Sequence, residues 1–312
     1  MKPKYLFSVL LFMNIYSCTE FQEKQLQEDA VEVFIPRDGL RTDVATQQFY
    51  WYELAGAEDY QLQVASPDFQ EIERLVLDTI MTNTRLFLTL APGDYEWRVR
   101  AFNNSSASLF SSRRLYIDST LNLSNQTVQI VDPSDQDTSN KMSYKFRWQE
   151  LYNADQYTVD LASDKDFSSI IQNWTVNVPE LEIIVPSEGG YHWRVRAINP
   201  SSVSPYSSRS FFVDTTAPQV PLLVSPGNGQ VLLGNSVNFL WQRQSAGISS
   251  VRDSLQISKD SLFSNSHVNL LLDVNSLNLD TLGSDSYFWR VQSIDKAFNS
   301  SDWSGASEFV IQ

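Results

Sequence analysis

Tyr95-Glu96-Trp97-Arg98-Val99-Arg100-Ala101 occurs three times in this chain. It returns as Tyr191-His192-Trp193-Arg194-Val195-Arg196-Ala197 and as Tyr287-Phe288-Trp289-Arg290-Val291-Gln292-Ser293. Trp97, Trp193 and Trp289 therefore recur at a constant step of 96 positions, which predicts three copies of one domain, each large enough for its own core. Within the stretch, Tyr95, Trp97, Val99 and Ala101 alternate with Glu96, Arg98 and Arg100. A period of two describes a β-strand with one face in a core and the other in water.

Working outward, each copy repeats the same landmarks. An apolar strand closes on a proline, at Pro36, Pro133 and Pro226, and fifteen residues later stands a tryptophan, Trp51, Trp148 or Trp241. A third strand alternates through Tyr60, Leu62 and Val64, through Tyr157, Val159 and Leu161, and through Leu255 and Ile257. A turn then carries an anchoring Phe69, Phe167 or Phe263, and apolar alternation resumes before the repeated stretch. A Ser/Asn-rich loop leads into a closing strand that ends at Ile117, Val213 or Val310. About seven short strands per copy predict an all-β fold of three tandem β-sandwiches.

The pattern resembles fibronectin type III domains, an immunoglobulin-like fold, over about Val31 to Gln312. The resemblance implies that Trp51, Trp148 and Trp241 pack into the cores, and that Tyr95, Tyr191 and Tyr287 form tyrosine corners. The third copy departs at Asp253, where the others have Tyr60 and Tyr157. The expected division is 31–119, 120–216 and 217–312, with short junctions at Asp118-Ser119-Thr120 and Asp214-Thr215-Thr216-Ala217-Pro218. Pro218 fixes its own φ and biases Ala217 to extended geometry, so the second joint reads as stiff and the array as a rod.

The N-terminus supplies an address. Lys2 and Lys4 precede an apolar run from Tyr5 to Ile15, too short to span a bilayer comfortably, and Ile15-Tyr16-Ser17-Cys18 follows. This resembles the lipobox of bacterial lipoproteins, with Tyr16 bulkier than usual at its position. The resemblance implies a signal peptide over 1–17, acylation of the Cys18 thiol and a polar lipidated tether over 18–30. Several acyl chains together hold a protein firmly on a membrane. Thr19 is not the Asp that marks inner-membrane retention, and Glu20 and Glu23 loosely resemble a surface-export signal of Bacteroidota. The expected location is the outer membrane, facing outward. Cys18 is the single cysteine of the chain, so no disulfide within it is available.

The chemistry-bearing residues are few. A net charge of −14 argues against a nucleic-acid partner. Two histidines occur, His192 on the outward face of a strand and His267 in no motif, and neither is set in a triad. There is no phosphate loop or dinucleotide fingerprint. Asp132, Asp135 and Asp137, with Asp118 and Asp214 at the junctions, could bind Ca²⁺ or form solvated turns. No metal or cofactor is expected. Arg98, Arg194 and Arg290 share one face, where cross-strand ion pairing with acids is the simple account.

Aromatic residues outside the core pattern are the candidate binding residues. Phe288 should point outward, Phe110, Tyr206 and Trp303 fall in the late loops, and Trp174 lies outside the repeated tryptophans. Each suits stacking on a sugar or burial in a partner, or else packing within its own protein. The sequence thus predicts a non-catalytic cell-envelope lipoprotein that binds a glycan or a protein. The alternative is a structural spacer or a subunit of an outer-membrane protein complex.

Overall fold

The computed structural model describes residues 24–244 and 249–312, so Cys18 and the signal segment lie outside the described residues. Those residues are all β, without a helix, and form three repeated sheet pairs. The first copy contains β1 (Val33–Ile35), β2 (Leu40–Thr42), β3 (Thr46–Trp51), β4 (Asp59–Pro67), β5 (Ile72–Met81), β6 (Arg85–Thr89), β7 (Gly93–Phe102) and β8 (Ser111–Ile117). The second contains β9 (Ile130–Asp132), β10 (Asp137–Ser139), β11 (Ser143–Trp148), β12 (Gln156–Ala162), β13 (Ile170–Val176), β14 (Glu180–Ile184), β15 (Gly189–Ile198) and β16 (Ser207–Val213). The third contains β17 (Leu222–Ser225), β18 (Gln230–Leu232), β19 (Val237–Gln242), β20 (Val251–Ser258), β21 (Ser266–Leu272), β22 (Ser276–Leu279), β23 (Ser286–Asp295) and β24 (Ser307–Ile311).

Each copy pairs a three-stranded sheet with a five-stranded one. The orders are β1-β3-β6 with β2-β8-β7-β4-β5, β9-β11-β14 with β10-β16-β15-β12-β13, and β17-β19-β22 with β18-β24-β23-β20-β21. That is eight strands per copy, one more than the alternation suggests. The extra strands are β2, β10 and β18, three residues each, which follow the proline turn and change sheets. β10 and β18 run parallel to the closing strand of their copy. Three residues are too few to display a period, so pattern reading passes over them.

The repeated stretch is the centre of each five-stranded sheet, and its register is the same each time. Val64 faces Trp97, Leu161 faces Trp193, and Ile257 faces Trp289. Trp51, Trp97, Trp193, Trp241 and Trp289 are fully buried, and Trp148 is nearly so. Phe49, Phe146 and Phe239 close the core against Trp97, Trp193 and Trp289 at 5.2, 4.1 and 5.2 Å. Burial of each large ring contributes on the order of 2–3 kcal/mol. Two tyrosine corners are plain in the hydrogen bonds. Tyr191 donates to the Ser187 carbonyl at 2.7 Å, and Tyr287 to the Gly283 carbonyl at 3.2 Å.

The chain divides into two compact units. The first holds Gln48–Leu86, Gly93–Tyr116 and the described residues up to Arg41. The second holds Thr42–Gln47, Phe87–Pro92 and Ile117–Gln312. Within the second unit, Gln126 is buried, accepts from the Ala45 amide at 2.8 Å and donates to the Asp43 carbonyl at 2.7 Å.

The Ser/Asn tracts do more than populate loops. Ser108 and Ser204 are buried and accept from the Ala101 and Ala197 amides at 3.0 Å. Asn103, Asn199 and Asn299 each donate to a carbonyl of the segment that leads into their own copy. These carbonyls belong to Lys24, Leu121 and Asp214, at 2.9, 2.8 and 2.7 Å.

Candidate binding surfaces

The candidate late-loop aromatics are spent on a stack that recurs in every copy. Arg98 lies between Phe69 and Phe110, with its guanidinium 3.8 and 4.2 Å from the two ring centroids. Arg194 lies between Phe167 and Tyr206 at 4.3 and 3.9 Å, and Arg290 between Phe263 and Trp303 at 4.1 and 4.3 Å. A cation over a ring face is attracted by the ring's quadrupole, and here each cation has two rings. The anchoring phenylalanines and the late-loop aromatics are thus two halves of one device. Ion pairing explains only the middle arginine, because Arg194 meets Asp160 at 2.7 Å while Arg98 and Arg290 meet Gln63 and Gln256. Burial raises the Asp160 pKa, but the bonds from Arg194 and Asn173 outweigh it and leave the carboxyl below its usual range.

Phe110, Tyr206 and Trp303 are accordingly half-buried, one in each copy. Phe288 is half-buried on the outward row of β23 that also carries Arg290. Trp174 packs against the core of the second sandwich. Trp303→Ala should therefore act on stability first. Loss of the stack over Arg290 is expected to cost about 1–2 kcal/mol, read as an earlier urea transition of the third sandwich. An unchanged transition would show that the stack is energetically idle.

A separate aromatic group stands on the three-stranded sheet of the first sandwich. Phe34 and Tyr52 are 52% and 42% exposed. With the half-buried Tyr50 they form a closed trio, each centroid 5.6–5.8 Å from the others in edge-to-face geometry. Tyr50 and Tyr52 flank the buried Trp51, so the period of two turns both outward. Phe34 joins them because β1 carries a bulge. Val33 faces Trp51 and Ile35 faces Tyr50, which leaves Phe34 as the extra residue, and a bulge re-aims the side chain it carries. Arg113 pins this bulge by donating to the carbonyls of Phe34 and Pro36 at 2.9 and 3.1 Å.

The other sandwiches keep the bulge without the rings. Val131, Arg147 and Gln149 occupy the matching positions in the second, and Val224, Leu240 and Gln242 in the third. The fold itself therefore does not require aromatics there. Neither phenol of the trio makes a hydrogen bond among the described residues, so two donors and three rings face solvent together.

Three of the acids that the sequence offers for a cation are occupied locally. Asp132 pairs with Arg147, and Asp135 accepts from the Ser210 amide at 2.9 Å. Asp214 is fully buried and takes the Ser249 hydroxyl. Among the described residues no three His, Cys, Asp or Glu side chains converge as a metal site would need. His192 lies half-buried on the outward row of β15, and His267 is exposed beside Tyr287.

Comparison with known proteins adds likeness of architecture. No family model and no curated protein matches the chain. Among solved structures, the chicken CNTN1 FN1-FN3 domains align at 17% identity with a TM-score of 0.42, covering 90% of this chain and 96% of that one. The fibronectin(III)-like modules of Clostridium thermocellum CbhA align at 13% identity with a TM-score of 0.40, covering 60% of this chain and 94% of theirs.

Proposed function

We propose that this chain is a non-catalytic binding module, held on the outer face of a bacterial outer membrane through Cys18, whose first sandwich takes a glycan. The observation that carries this reading is the Phe34–Tyr50–Tyr52 trio. Ring faces stack on the C–H faces of a sugar, and free phenols supply hydrogen bonds to its hydroxyls. The trio stands on the first sandwich, apart from the sequence candidates Phe110, Tyr206, Phe288 and Trp303. The lipobox-like Ile15-Tyr16-Ser17-Cys18 supports the anchor and the polar tether over 18–30 supports presentation away from the lipid.

Affinity electrophoresis through gels of different neutral polysaccharides tests the binding. Retardation by at least one polysaccharide is expected, reduced about tenfold or more in apparent affinity by Tyr52→Ala or Phe34→Ala. Both side chains are exposed enough that the fold should survive their loss. Migration unaffected by every gel, or retardation that both variants retain, would sink the glycan reading and leave the spacer or complex-subunit role.

A further inference from the structure

A cleft of about 490 Å³ lies within the second compact unit, where the second and third sandwiches meet. Its floor is the outward face of the five-stranded sheet β10-β16-β15-β12-β13, and the strand register sets its side chains in two rows. Gln136, just before β10, stands beside Ser210 of β16 and His192 of β15, because Ser210 faces His192 and Gln136 precedes the pair Asp137–Phe211. Thr138, Phe212 and Gly190 form the next row. The opposite wall is supplied by the third sandwich, including Ser250 and Lys296.

Two features distinguish this cleft from a gap between modules. The first is charge. The chain carries 37 acidic residues against 23 basic ones, yet no Asp or Glu lines the cleft, and Lys296 does. The Lys296 side chain is exposed and makes no ion pair among the described residues. Two carboxylates behind the lining are engaged by it, Asp135 by the amide and hydroxyl of Ser210 and Asp214 by the Ser249 hydroxyl. The second is shape. Gly190 leaves the flank of the half-buried Phe212 ring open, and a Cβ there would touch that ring at 3.7 Å. The first and third copies have Asp94 and Ser286 at the matching place.

We infer that this cleft is a second binding site, distinct from the aromatic trio, and that it takes a carboxylated sugar of the uronic-acid class. The ring of Phe212 offers a face for the sugar's C–H side. Gln136, Thr138 and Ser250 offer donors and acceptors for its hydroxyls, Ser210 having already given its hydroxyl proton to Asp135, and Lys296 offers a positive charge for its carboxylate. The volume falls in the range of small-ligand sites, about 300–1,000 Å³.

Titration calorimetry of the full chain with digalacturonate, and with its carboxyl-reduced neutral counterpart, tests the inference. The uronide is expected to bind about tenfold or more tightly than the neutral sugar. Lys296→Ala should erase that difference, and Gly190→Asp should abolish uronide binding by filling the flank of Phe212 and adding a negative charge. Gly190 is not held at positive φ, and its Cβ contact is an ordinary one, so melting of that variant should match the parent. Tyr52→Ala should leave uronide binding intact, which separates this site from the trio. Equal binding of the two sugars, no binding of the uronide, binding that survives both cleft variants, or binding lost in Tyr52→Ala would each overturn it.

Discussion

Asp253→Ala is expected to destabilise the third sandwich by about 3–5 kcal/mol, the range for removing one member of a buried charge pair. Asp253 is fully buried. Its Oδ2 accepts from Trp241 Nε1 and Arg243 Nε, both at 2.7 Å, and its Oδ1 accepts from the Ser293 hydroxyl at 2.6 Å. Truncation strands the buried Trp241 and Ser293 donors and takes the carboxylate from Arg243, which is half-buried. The first two sandwiches solve the same position differently. There Tyr60 and Tyr157 accept from the Leu54 and Leu151 amides at 2.9 Å, opposite Ala101 and Ala197. Trp51 Nε1 and Trp148 Nε1 have no hydrogen-bond partner among the described residues. The third copy thus exchanges Tyr for Asp, Ala for Ser, and Glu53 or Glu150 for Arg243, as one set. Asp253→Asn, which keeps the shape and one acceptor oxygen, should cost less than Asp253→Ala. Urea unfolding of the full chain followed by tryptophan fluorescence reads both variants. A third-sandwich transition within about 1 kcal/mol of the parent for Asp253→Ala would refute the account.

The second large effect is all-or-none. Cys18→Ala should move the protein from the membrane fraction to the soluble one and abolish incorporation of labelled palmitate. Each buried methylene contributes roughly 0.8 kcal/mol, so a single chain holds weakly and several hold firmly. On the proposed anchoring, attachment depends on the Cys18 thiol. Palmitate label and membrane partition that persist in the variant would contradict the anchor.

Much of the fold was legible because its signals are local and repeated. Trp97, Trp193 and Trp289 announced the central strands, and alternation placed their neighbours on one face or the other. The buried Asp253 was visible as a departure, though not its reason, since Trp241, Arg243 and Ser293 meet it only across strands. The surroundings of the candidate site residues were less legible for the same cause. Phe110, Tyr206 and Trp303 looked unassigned in sequence because their partners, Arg98, Arg194 and Arg290, stand on another strand. The outward aim of Tyr50 and Tyr52 follows from the inward Trp51 between them. That Phe34 joins them depends on a bulge in the pairing of β1 with β3, which no period records.

The bonds of Gln126 bear on the order of synthesis. A chain made from its N-terminus presents Asp43 and Ala45 long before the residue that satisfies them, which lies 83 and 81 positions further on. Domains commonly fold as they emerge from the ribosome. Here the connection 43–45 between β2 and β3 must wait, its amide and carbonyl served by water, until the start of the next repeat has left the tunnel. The first repeat can collapse on schedule, but one of its connections is completed only by its successor.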